Sequence, residues 1–445
     1  MPTPPTGPLN VLLIGGGGRE HSLAWKLHQS PRLGNLYATD TGNPGLAALA
    51  KPAPVPIDLK TREFFPIRRW CQQTGINLVI IGPEEPLAAG LADALAEPIM
   101  PGYPVPMVFG PTKAAAQLEG DKAWAKEIMR SALIPTASGR SFADYEAAKA
   151  YVESRQEPPV IKASGLAKGK GVFVPATRQE GLDALERIMV QREFGDAGKT
   201  VVVEERLKGR EVSVFALVDG RSIYVLEACQ DHKRLGDGAS GPNTGGMGSL
   251  CPTPAIDDAT MARIEREVLV PTVDALRREA GGGIEFRGVL YAGLMLTPGG
   301  PKVLEYNVRF GDPECQTLMR RLKTDLIDVI EAVCTRNLDK IDIEWEPGPA
   351  VCVVLAAHGY PDKPRKGDVI EGLDEAEKVD GVVVFHAGTA RNQRGQIVTS
   401  GGRVLSVTAI GSSLEEARQR AYAAAERIRF DGKTYRTDIG TNVVG

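Results

Sequence analysis

The sequence is poor in cysteine, and its six cysteines are scattered over 445 residues without a CxxC pair. This spacing argues against zinc clusters and disulfide frameworks and favours reduced thiols. The five histidines also lack the spacing of metal ligands. No apolar run approaches the roughly 20 residues that a membrane helix requires. The start of the chain has no basic segment before an apolar core, so we expect no signal peptide and a cytoplasmic location.

An excess of charge of either sign is absent as well, since 53 basic and 56 acidic residues leave a net charge of −3. A chain so balanced gives no reason to expect nucleic-acid or membrane binding, and we expect small-molecule partners instead. Its 445 residues predict three or four structural units. The proline-rich residues 1–8 are expected to form a disordered extension.

Residues 9–110 alternate short apolar strands with helical segments. Uninterrupted apolar strands between helices predict a parallel sheet that is covered on both faces. Ligands bind such sheets at the carboxyl ends of the strands, where the turns 15–18, 42–45 and 82–86 would lie. We therefore predict an N-terminal α/β domain at 9–118 that binds a substrate through these turns.

The rest of the chain is predicted to form α+β units, so the fold class is multidomain, with α/β and α+β parts. Within it we predict helical stretches at 257–279 and 315–334. Pro347-Gly-Pro349 marks a boundary before a small β-rich tail. The predicted limits are 119–140 with 211–346 for a central lobe, 141–210 for a small lobe, and 347–445 for a C-terminal domain.

The segment from Leu304 to Arg309 alternates apolar and polar residues. Side chains alternate across a strand, so Glu305, Asn307 and Arg309 are expected on one face. A carboxylate beside an amide oxygen suits Mg²⁺, which proteins hold with one or two carboxylates plus substrate phosphates. Arg309 offers a planar fork that matches a phosphate. The alternative is a half-buried strand whose polar residues face water.

A lysine-rich and glycine-rich loop follows the apolar strand that ends at Lys162. Its glycines let the backbone approach a polyphosphate, and its amides and lysines supply positive charge. The loop is not a Walker A motif, because no GxxxxGK[ST] opens a helix. It is predicted to be a strand–loop–strand flap that closes over a nucleotide, although an ordinary hairpin turn is the alternative. The predicted flap residues are Gly165, Lys168, Gly169, Lys170 and Gly171.

Two carboxylates end the next apolar strand, and a short linker then leads to a further strand. A linker between lobes can read an adenine edge through its backbone, while Glu211 takes a ribose hydroxyl; the alternative is a polar strand end. Lys122, at the start of a helix, does not by itself indicate a function, because surface lysines are common. The predicted linker residues are Glu204, Glu205, Arg206, Leu207 and Glu211.

The order of these segments along the chain resembles the ATP-grasp superfamily, in which two α+β lobes grip ATP. Several longer motifs resemble the glycinamide ribonucleotide synthetase (phosphoribosylamine–glycine ligase) family, and the match extends from residue 9 to 440. These motifs are 15–25, 42–45, 82–87, 230–234, 241–248, 307–314 and 436–440.

This resemblance implies that ATP, glycine and 5-phosphoribosylamine give glycinamide ribonucleotide, ADP and phosphate through glycyl phosphate, in purine biosynthesis. ATP and Mg²⁺ (or Mn²⁺) are the implied cofactors, and a monomer is expected, with a dimer as the alternative. The implied catalytic residues are Lys162, Arg309 and Asp231, the metal ligands are Glu305 and Asn307, and Lys122 joins the flap and linker residues at ATP. The implied substrate-binding residues are Gly17, Gly18, Arg19, Glu20, Asn43, Pro44, Gly45, Pro83, Glu84, Asp231, Lys233, Asn243, Thr244, Gly245, Gly246, Met247 and Arg309.

One departure from the superfamily concerns the metal site. Many relatives have an acidic residue that binds the metal on the strand before Glu305, and the predicted strand 288–295 has none. His21 and His232 are candidates for a general base, or else hydrogen-bonding wall residues. The rival functions are another ATP-grasp ligase or carboxylase, and a nucleotide-binding protein without catalysis. The last would have lost a metal ligand or a phosphate lysine, yet Glu305 and Lys162 are both present.

Overall fold

The computed structural model describes residues 7–99, 104–167, 169–279 and 281–441. Lys168 of the predicted flap and residues 1–6 of the predicted extension therefore lie outside the described residues. Within the described ranges, no helix is long and apolar enough to cross a membrane. The described strands form four larger sheets and two two-stranded ones, which matches the predicted mixture of α/β and α+β units.

The N-terminal sheet is parallel throughout, as predicted. Its elements are β1 (Leu9–Ile14), α1 (Gly18–Leu27), β2 (Leu33–Ala38), α2 (Pro44–Leu49), β3 (Lys51–Pro52), α3 (Phe65–Thr74), β4 (Leu78–Ile81), α4 (Glu84–Ala89), α5 (Leu91–Ala96), β5 (Met107–Phe109) and α6 (Lys113–Gly120). The strand order is β3-β2-β1-β4-β5, and all four residues of β4 are buried. The turns before α1, α2 and α4 therefore meet at the carboxyl edge of this sheet.

The small lobe is a four-stranded antiparallel sheet with two helices packed on it. Its elements follow α7 (Lys122–Ser131) and are β6 (Gly139–Phe142), α8 (Tyr145–Glu153), β7 (Val160–Ala163), β8 (Val172–Phe173), α9 (Arg178–Met189), a 3-10 turn (Gly195–Gly198) and β9 (Val201–Glu204). Asp144 and Thr177 cap α8 and α9 by accepting backbone N–H groups. The hairpin of β7 and β8 carries the predicted flap.

The central lobe has an antiparallel sheet of order β11-β10-β16-β17. The elements of this part of the chain are β10 (Arg210–Asp219), β11 (Ile223–Val225), β12 (Gln230–Asp231), β13 (Arg234–Gly236), a 3-10 turn (Asp237–Ala239), β14 (Ser240–Asn243), β15 (Gly248–Cys251), α10 (Asp258–Ile264), α11 (Val270–Arg277), β16 (Arg287–Thr297), β17 (Gly300–Asn307), α12 (Glu314–Arg321), α13 (Leu326–Thr335) and a 3-10 turn (Leu338–Lys340). The expected metal-binding strand is thus β17, at the edge of this sheet.

The two predicted helical stretches are helical, and each is interrupted. The segment 257–279 consists of α10 and α11 joined by a π-helical stretch, Glu265–Leu269. Pro271 follows that stretch and has no N–H for an α-helical bond, which accounts for the wider turn. The segment 315–334 is broken between α12 and α13, where Asp325 caps α13 by accepting a backbone N–H at 2.8 Å.

The C-terminal domain is built on a five-stranded antiparallel sheet that borrows strands from earlier in the chain. Its own elements are β18 (Ala350–Ala356), α14 (Leu373–Glu377), β19 (Val382–His386), β20 (Thr389–Arg391), β21 (Ile397–Thr399), β22 (Arg403–Ile410) and α15 (Leu414–Arg427). The sheet order is β12-β15-β18-β22-β19, so β12 and β15 anchor the chain around residue 240 on this domain. Four alanines of α15, Ala417, Ala421, Ala424 and Ala425, are fully buried because small side chains let the helix lie close to the sheet.

Candidate active site

The predicted alternation along β17 is confirmed. Glu305, Asn307 and Arg309 are partly exposed on one face, while Tyr306 and Val308 are buried on the other. The strand therefore presents a carboxylate, an amide and a guanidinium side by side in the cleft between the lobes.

Positive charge surrounds the carboxylate of Glu305. Burial by itself raises the pKa of this group, but the ammonium groups of Lys233, Lys122 and Lys162 lower it to about 2. Of these lysines, Lys233 forms an ion pair with the carboxylate, and its Nζ lies 3.6 Å from Glu305 Oε1. An ionised carboxylate among three lysines is the electrostatic setting in which a metal–polyphosphate complex binds.

The donors of β17 suit a magnesium ion that is shared with a nucleotide. Glu305 and Asn307 provide one carboxylate and one amide oxygen, and Mg²⁺ commonly completes such a set with phosphates and waters. Asn307 Oδ1 accepts a hydrogen bond from Arg309 Nη2 at 3.2 Å, which fixes the amide plane. No group of three or more metal-ligating acids, histidines or cysteines occurs among the described residues, so a dedicated metal cage is not part of the described chain.

Lys162 is held between two chain segments at the end of β7. Its Nζ donates to Leu304 O at 2.8 Å and forms an ion pair with Glu204. Glu204 also pairs with Lys126, whose Nζ lies 2.6 Å from Oε2 of the carboxylate. Two lysines thus share one buried carboxylate, and one positive charge remains for a ligand.

Lys122 lies at the start of α7 and faces the same cleft. Its backbone N–H donates to Ser164 O at 2.9 Å, and its Nζ reaches Gly165 O at 3.5 Å. Burial lowers the pKa of Lys122, and the nearby carboxylate of Glu305 opposes that shift. The structure therefore brings together the two lysines and the strand that the sequence analysis connected only by their order.

The flap reaches across to the C-terminal domain. Gly169 adopts φ +73°, a left-handed conformation that favours glycine, and Gly171 O accepts a backbone hydrogen bond from β7. Lys170 Nζ donates to Pro361 O at 3.4 Å, although it was predicted to bind ATP. Lys168 belongs to the same prediction and lies outside the described residues.

The linker between the lobes runs from β9 to β10. Glu205 accepts the backbone N–H of Ser138 at 2.9 Å, and Glu211 lies 3.5 Å from Lys233 Nζ. Between them Arg206 is exposed and Leu207 is half-buried. The side chain of Glu205 is therefore occupied by protein, whereas the backbone of the linker borders the cleft that Lys233 lines.

The first N-terminal turn is closed by its own charged residues. Gly17 N–H donates to Glu20 Oε2 at 2.7 Å, and Arg19 Nε donates to Glu20 Oε1 at 2.6 Å. Arg19 Nη1 donates to Phe310 O at 3.1 Å, and the arginine is only 8% exposed. A Cβ on Gly18 would lie 2.8 Å from the Gln316 side chain, so α1 begins in close contact with α12.

The second turn docks against the C-terminal domain. Asn43 caps α2 by accepting Gly45 N–H at 2.9 Å, beside Pro44 in the first helical turn, and its Nδ2 donates to His386 O at 2.8 Å. A Cβ on Gly45 would lie 2.1 Å from the ring of His21, so only glycine fits there. Asn43 and Gly45 therefore support the turn from its buried side, where Asn43 is only 4% exposed.

Neither histidine is suited to act as a base at neutral pH. His21 Nδ1 accepts the backbone N–H of His386 at 2.8 Å, and burial, reinforced by the nearby His386 ring, lowers the pKa of His21 to about 3. Burial, with Arg436 nearby, also lowers the pKa of His232 to about 4. Both rings are therefore neutral wall residues in the folded chain.

A chain of charges connects the third N-terminal turn to β17. Glu84 follows Pro83 at the start of α4, and its Oε2 lies 3.4 Å from Arg309 Nε. Arg309 Nη2 donates to Glu119 Oε1 at 2.8 Å. Burial alone would lower the pKa of Arg309, but Glu119 and Glu84 raise it above its usual value. Arg309 is thus a permanent cation between the substrate turn and the expected metal ligands.

The loop between β12 and β15 closes the other side of the cleft. Asp231 Oδ1 is buried without a hydrogen-bond partner among the described residues, and a Cβ on Gly246 would lie 2.6 Å from it. Burial raises the pKa of Asp231 well above its usual value, and Glu314 raises it further. Thr244 Oγ1 donates to Lys233 O at 2.8 Å, which closes the loop on itself. Asp231 is therefore ready to receive a hydrogen-bonding or cationic ligand group.

The C-terminal domain clamps this loop. Gly245 N–H donates to Tyr360 Oη at 3.0 Å, and Gly245 O accepts from Arg403 Nη1 at 2.6 Å. Asn243 pairs with Arg234 across β13 and β14, whereas Met247 is fully buried in the core and cannot offer its side chain to a substrate.

Several residues of the site were missed by the sequence analysis. Each acts through a partner far away in the chain, so no local pattern marks it; Arg403 also donates to Asp312 O, 91 residues away. Asp312 and Glu314 lie in the motif 307–314 but were given no role of their own. The residues missed altogether are Glu119, Lys126, Tyr360 and Arg403.

Comparison with family models covers most of the chain. The phosphoribosylglycinamide synthetase N domain matches residues 9–119, the ATP-grasp (A) domain of the same family matches 120–315, and its C domain matches 350–442. The phosphoribosylamine–glycine ligase of Rhodopirellula baltica is 48% identical over 437 residues, covering 97% of both chains. That of Brucella melitensis is 48% identical over 437 residues, covering 98% of both.

Two solved structures show how far the likeness extends. The phosphoribosylamine–glycine ligase of Thermotoga maritima has a TM-score of 0.80 and 34% identity, covering 97% of this chain and all of that one. The biotin carboxylase domain of the Hydrogenobacter thermophilus 2-oxoglutarate carboxylase, in complex with MgADP, ADP and bicarbonate, has a TM-score of 0.72. It is 16% identical, covering 96% of this chain and 91% of its own, so it shares the fold.

Proposed function

Because the chain belongs to the phosphoribosylglycinamide synthetase family, we propose roles for its residues in the reaction of that family. The chain is an ATP-dependent ligase that joins glycine to 5-phosphoribosylamine and forms glycinamide ribonucleotide in purine biosynthesis. The observation that carries the proposed roles is the ionised Glu305 carboxylate, which shares a face with Asn307 and lies among three lysines.

A carboxylate is a poor acyl donor at neutral pH, so the proposed reaction has two steps. In the first, a glycine carboxylate oxygen attacks the γ-phosphorus of ATP, the bond to the bridging oxygen breaks, and ADP leaves. In the second, the amine of phosphoribosylamine attacks the carbonyl carbon of glycyl phosphate. The carbon–oxygen bond breaks, phosphate leaves, and the amine loses its proton to water or phosphate. Holding the two reactants together makes the second step effectively intramolecular.

We assign the phosphate end of ATP to the lysines and β17. Lys122 and Lys162 hold the phosphates in line with the incoming carboxylate. Glu305 and Asn307 hold Mg²⁺, or Mn²⁺ in its place, and such an ion neutralises charge on the transferring phosphate. Arg309 faces the same region and stabilises the acyl phosphate through its planar fork.

We assign the nucleoside end to the linker and the flap. The backbone of residues 205–207 reads the adenine edge, and Glu211 accepts a ribose hydroxyl. The flap at 165–171 covers the phosphates, and release of Lys170 from Pro361 O accompanies its closure. The flap residues in this role include Gly165, Lys168, Gly169, Lys170 and Gly171.

We assign phosphoribosylamine to the turns at the carboxyl edge of the N-terminal sheet, because α1 begins there and a helix N-terminus favours an anion. Arg19 contributes by holding Glu20, since its guanidinium is occupied by Glu20 and Phe310 O. Asp231 and the clamped loop enclose glycine, whose ammonium would lower the raised pKa of Asp231 and favour its carboxylate form. The backbone and side-chain groups concerned are those of Gly17, Gly18, Glu20, Asn43, Pro44, Gly45, Pro83, Glu84, Asp231, Lys233, Asn243, Thr244, Gly245, Gly246 and Met247.

The proposed acyl phosphate is tested by following oxygen. Glycine labelled with ¹⁸O in its carboxylate should transfer one labelled oxygen to each phosphate released, because that oxygen becomes the bridge in glycyl phosphate. Mass spectrometry of the phosphate measures this transfer. Phosphate that contains no label would rule out the intermediate, whereas ADP formation in the same samples confirms turnover.

We further propose a cytoplasmic monomer. All six cysteines are unpaired, which fits a reducing compartment. Few large apolar side chains are exposed among the described residues, which leaves little apolar surface for an interface; they are Phe65, Leu133, Val190, Val270 and Val369. Light scattering during gel filtration tests the monomer, and a mass near 95 kDa, twice the chain mass of 47.6 kDa, would replace it with the dimer.

A further inference from the structure

Glu119, near the end of α6, is a buried carboxylate bonded to the segment that follows the metal-donor strand. It is 6% exposed, and each of its two oxygens has a separate partner. Oε2 accepts the backbone N–H of Val308 at 2.8 Å, and Oε1 accepts Arg309 Nη2 at 2.8 Å. Both partners lie within two residues of Asn307.

Arg309 links the carboxylate of Glu119 to the side-chain amide of Asn307 through hydrogen bonds. The nitrogen Nη2 has two hydrogens, and its two acceptors are Glu119 Oε1 and Asn307 Oδ1, the latter at 3.2 Å. The guanidinium is also bonded to Phe310 O at 3.2 Å through Nη1 and faces Glu84 through Nε. A planar fork with fixed neighbours on every side fixes in turn the direction of the Asn307 amide.

A simple stabilising role does not account well for this arrangement. A buried ion pair is weak evidence for stability, because removing two charges from water offsets most of their attraction. Partners that orient a metal ligand are common in proteins, and their loss typically weakens metal binding about 10–100-fold. The bonds of Glu119 end on the backbone and the side chain that set where Asn307 points.

We propose that Glu119 is a positioning residue that, through Arg309, holds the amide oxygen of Asn307 toward the metal of the bound nucleotide. The inference rests on the proposed function, because it requires Asn307 to be a metal ligand. The carboxylate of Glu119 would thereby connect α6, the helix before Lys122, with the strand that carries Glu305.

The test measures binding of the non-hydrolysable analogue AMP-PNP by titration calorimetry, once with Mg²⁺ and once with EDTA. Glu119→Gln keeps an acceptor for Val308 N–H but removes the charge that holds Arg309. We expect its affinity to fall about tenfold with Mg²⁺ and to stay unchanged with EDTA. The matched control is Glu127→Gln, an exposed glutamate of α7 that pairs with nearby Arg130, and it should bind as the unmodified chain does.

Equal affinity of Glu119→Gln and the unmodified chain in Mg²⁺, or an equal loss with and without metal, would overturn the proposal. Glu305→Gln separates this failure from a failure of the metal assignment, since it should remove the benefit of Mg²⁺ altogether. If Glu305→Gln retains that benefit, the metal site itself is wrong. Should Glu119→Gln not fold, Glu119→Asp replaces it, because aspartate keeps the charge but its side chain is one carbon shorter and cannot hold Val308 N–H and Arg309 Nη2 as the glutamate does. It should show the same loss in Mg²⁺, and unchanged affinity would overturn the proposal.

Discussion

The buried ring of His21 should make the stability of the fold depend on pH. His21 is 7% exposed, lies between the N-terminal and C-terminal domains, and accepts a backbone hydrogen bond at Nδ1. Its pKa in the folded chain is about 3, because burial and the nearby His386 ring disfavour the charged form. The perturbation is His21→Asn, since Oδ1 of asparagine can take the place of Nδ1 but cannot titrate.

The magnitude follows from the difference between the folded and unfolded pKa values. An unfolded histidine has a pKa of about 6.5, so folding favours its neutral form, and the stability it contributes is complete above that pH. As the pH falls from 6.5 toward 3, the unfolded chain binds a proton that the folded chain does not. Between pH 7 and 5.5 this linkage lowers the free energy of unfolding by about 1.3 kcal/mol for His21.

Proton uptake on unfolding at pH 5.5 is the assay, measured by calorimetry in buffers of different ionisation enthalpy. It compares the native and fully unfolded chains, so it does not require two-state unfolding. The unmodified chain should take up about 0.9 proton more than His21→Asn. The control is the same comparison at pH 8, where an unfolded histidine with a pKa of about 6.5 is neutral and the two chains should take up nearly the same number of protons. Equal uptake by the unmodified chain and His21→Asn at pH 5.5 would show that His21 titrates in the fold and refute the reasoning.

Three further substitutions test the site. Glu305→Gln should lower kcat by more than about 100-fold while leaving the melting temperature nearly unchanged, since it removes charge at the metal rather than packing; near-normal turnover would refute the assignment. Arg403→Ala frees Gly245 O and should raise KM for glycine about tenfold with little effect on binding of ATP, as steady-state kinetics would measure. Arg19→Ala removes the partner of Glu20 and should weaken phosphoribosylamine more than ATP; a defect confined to ATP would contradict the assignment of the first turn.

The sequence was most informative where a residue's role depends on its immediate neighbours. Alternation along 304–309 predicts which side chains share a face, and the structure confirms it. The apolar strands at 9–14 and 78–81 predict a buried parallel sheet, which is also confirmed. The first prediction rests on the two-residue period of a half-buried strand and the second on uninterrupted apolar runs, and local sequence is sufficient to reveal both.

Local patterns failed where distant parts of the chain decide the structure. The break in the predicted helical stretch 315–334 follows from backbone bonds of residues 323 and 324 to Glu344, far along the chain. The chain around residue 240 was expected to belong wholly to the central lobe, yet β12 and β15 extend the C-terminal sheet. Tertiary hydrogen bonds override a helical pattern or a boundary between segments, and one sequence does not show which distant strand offers them.

The positioning residues of the site were missed for the same reason. Glu119 contacts Arg309 across 190 positions, and Lys126 contacts Glu204, whose sequence neighbours give no sign of a second lysine. Arg403 belongs to the C-terminal domain, which the sequence analysis gave no part in the site. These charged side chains come into contact only when distant parts of the chain pack together, so no single segment of sequence reveals the contacts.

The most direct test of the account is ADP release from ATP and Mg²⁺, measured with glycine alone, with glycine and freshly prepared phosphoribosylamine, and with bicarbonate. The account predicts sustained turnover only when glycine and phosphoribosylamine are both present. Turnover with bicarbonate, or none with glycine and phosphoribosylamine together, would contradict it and leave only the ATP-grasp fold established.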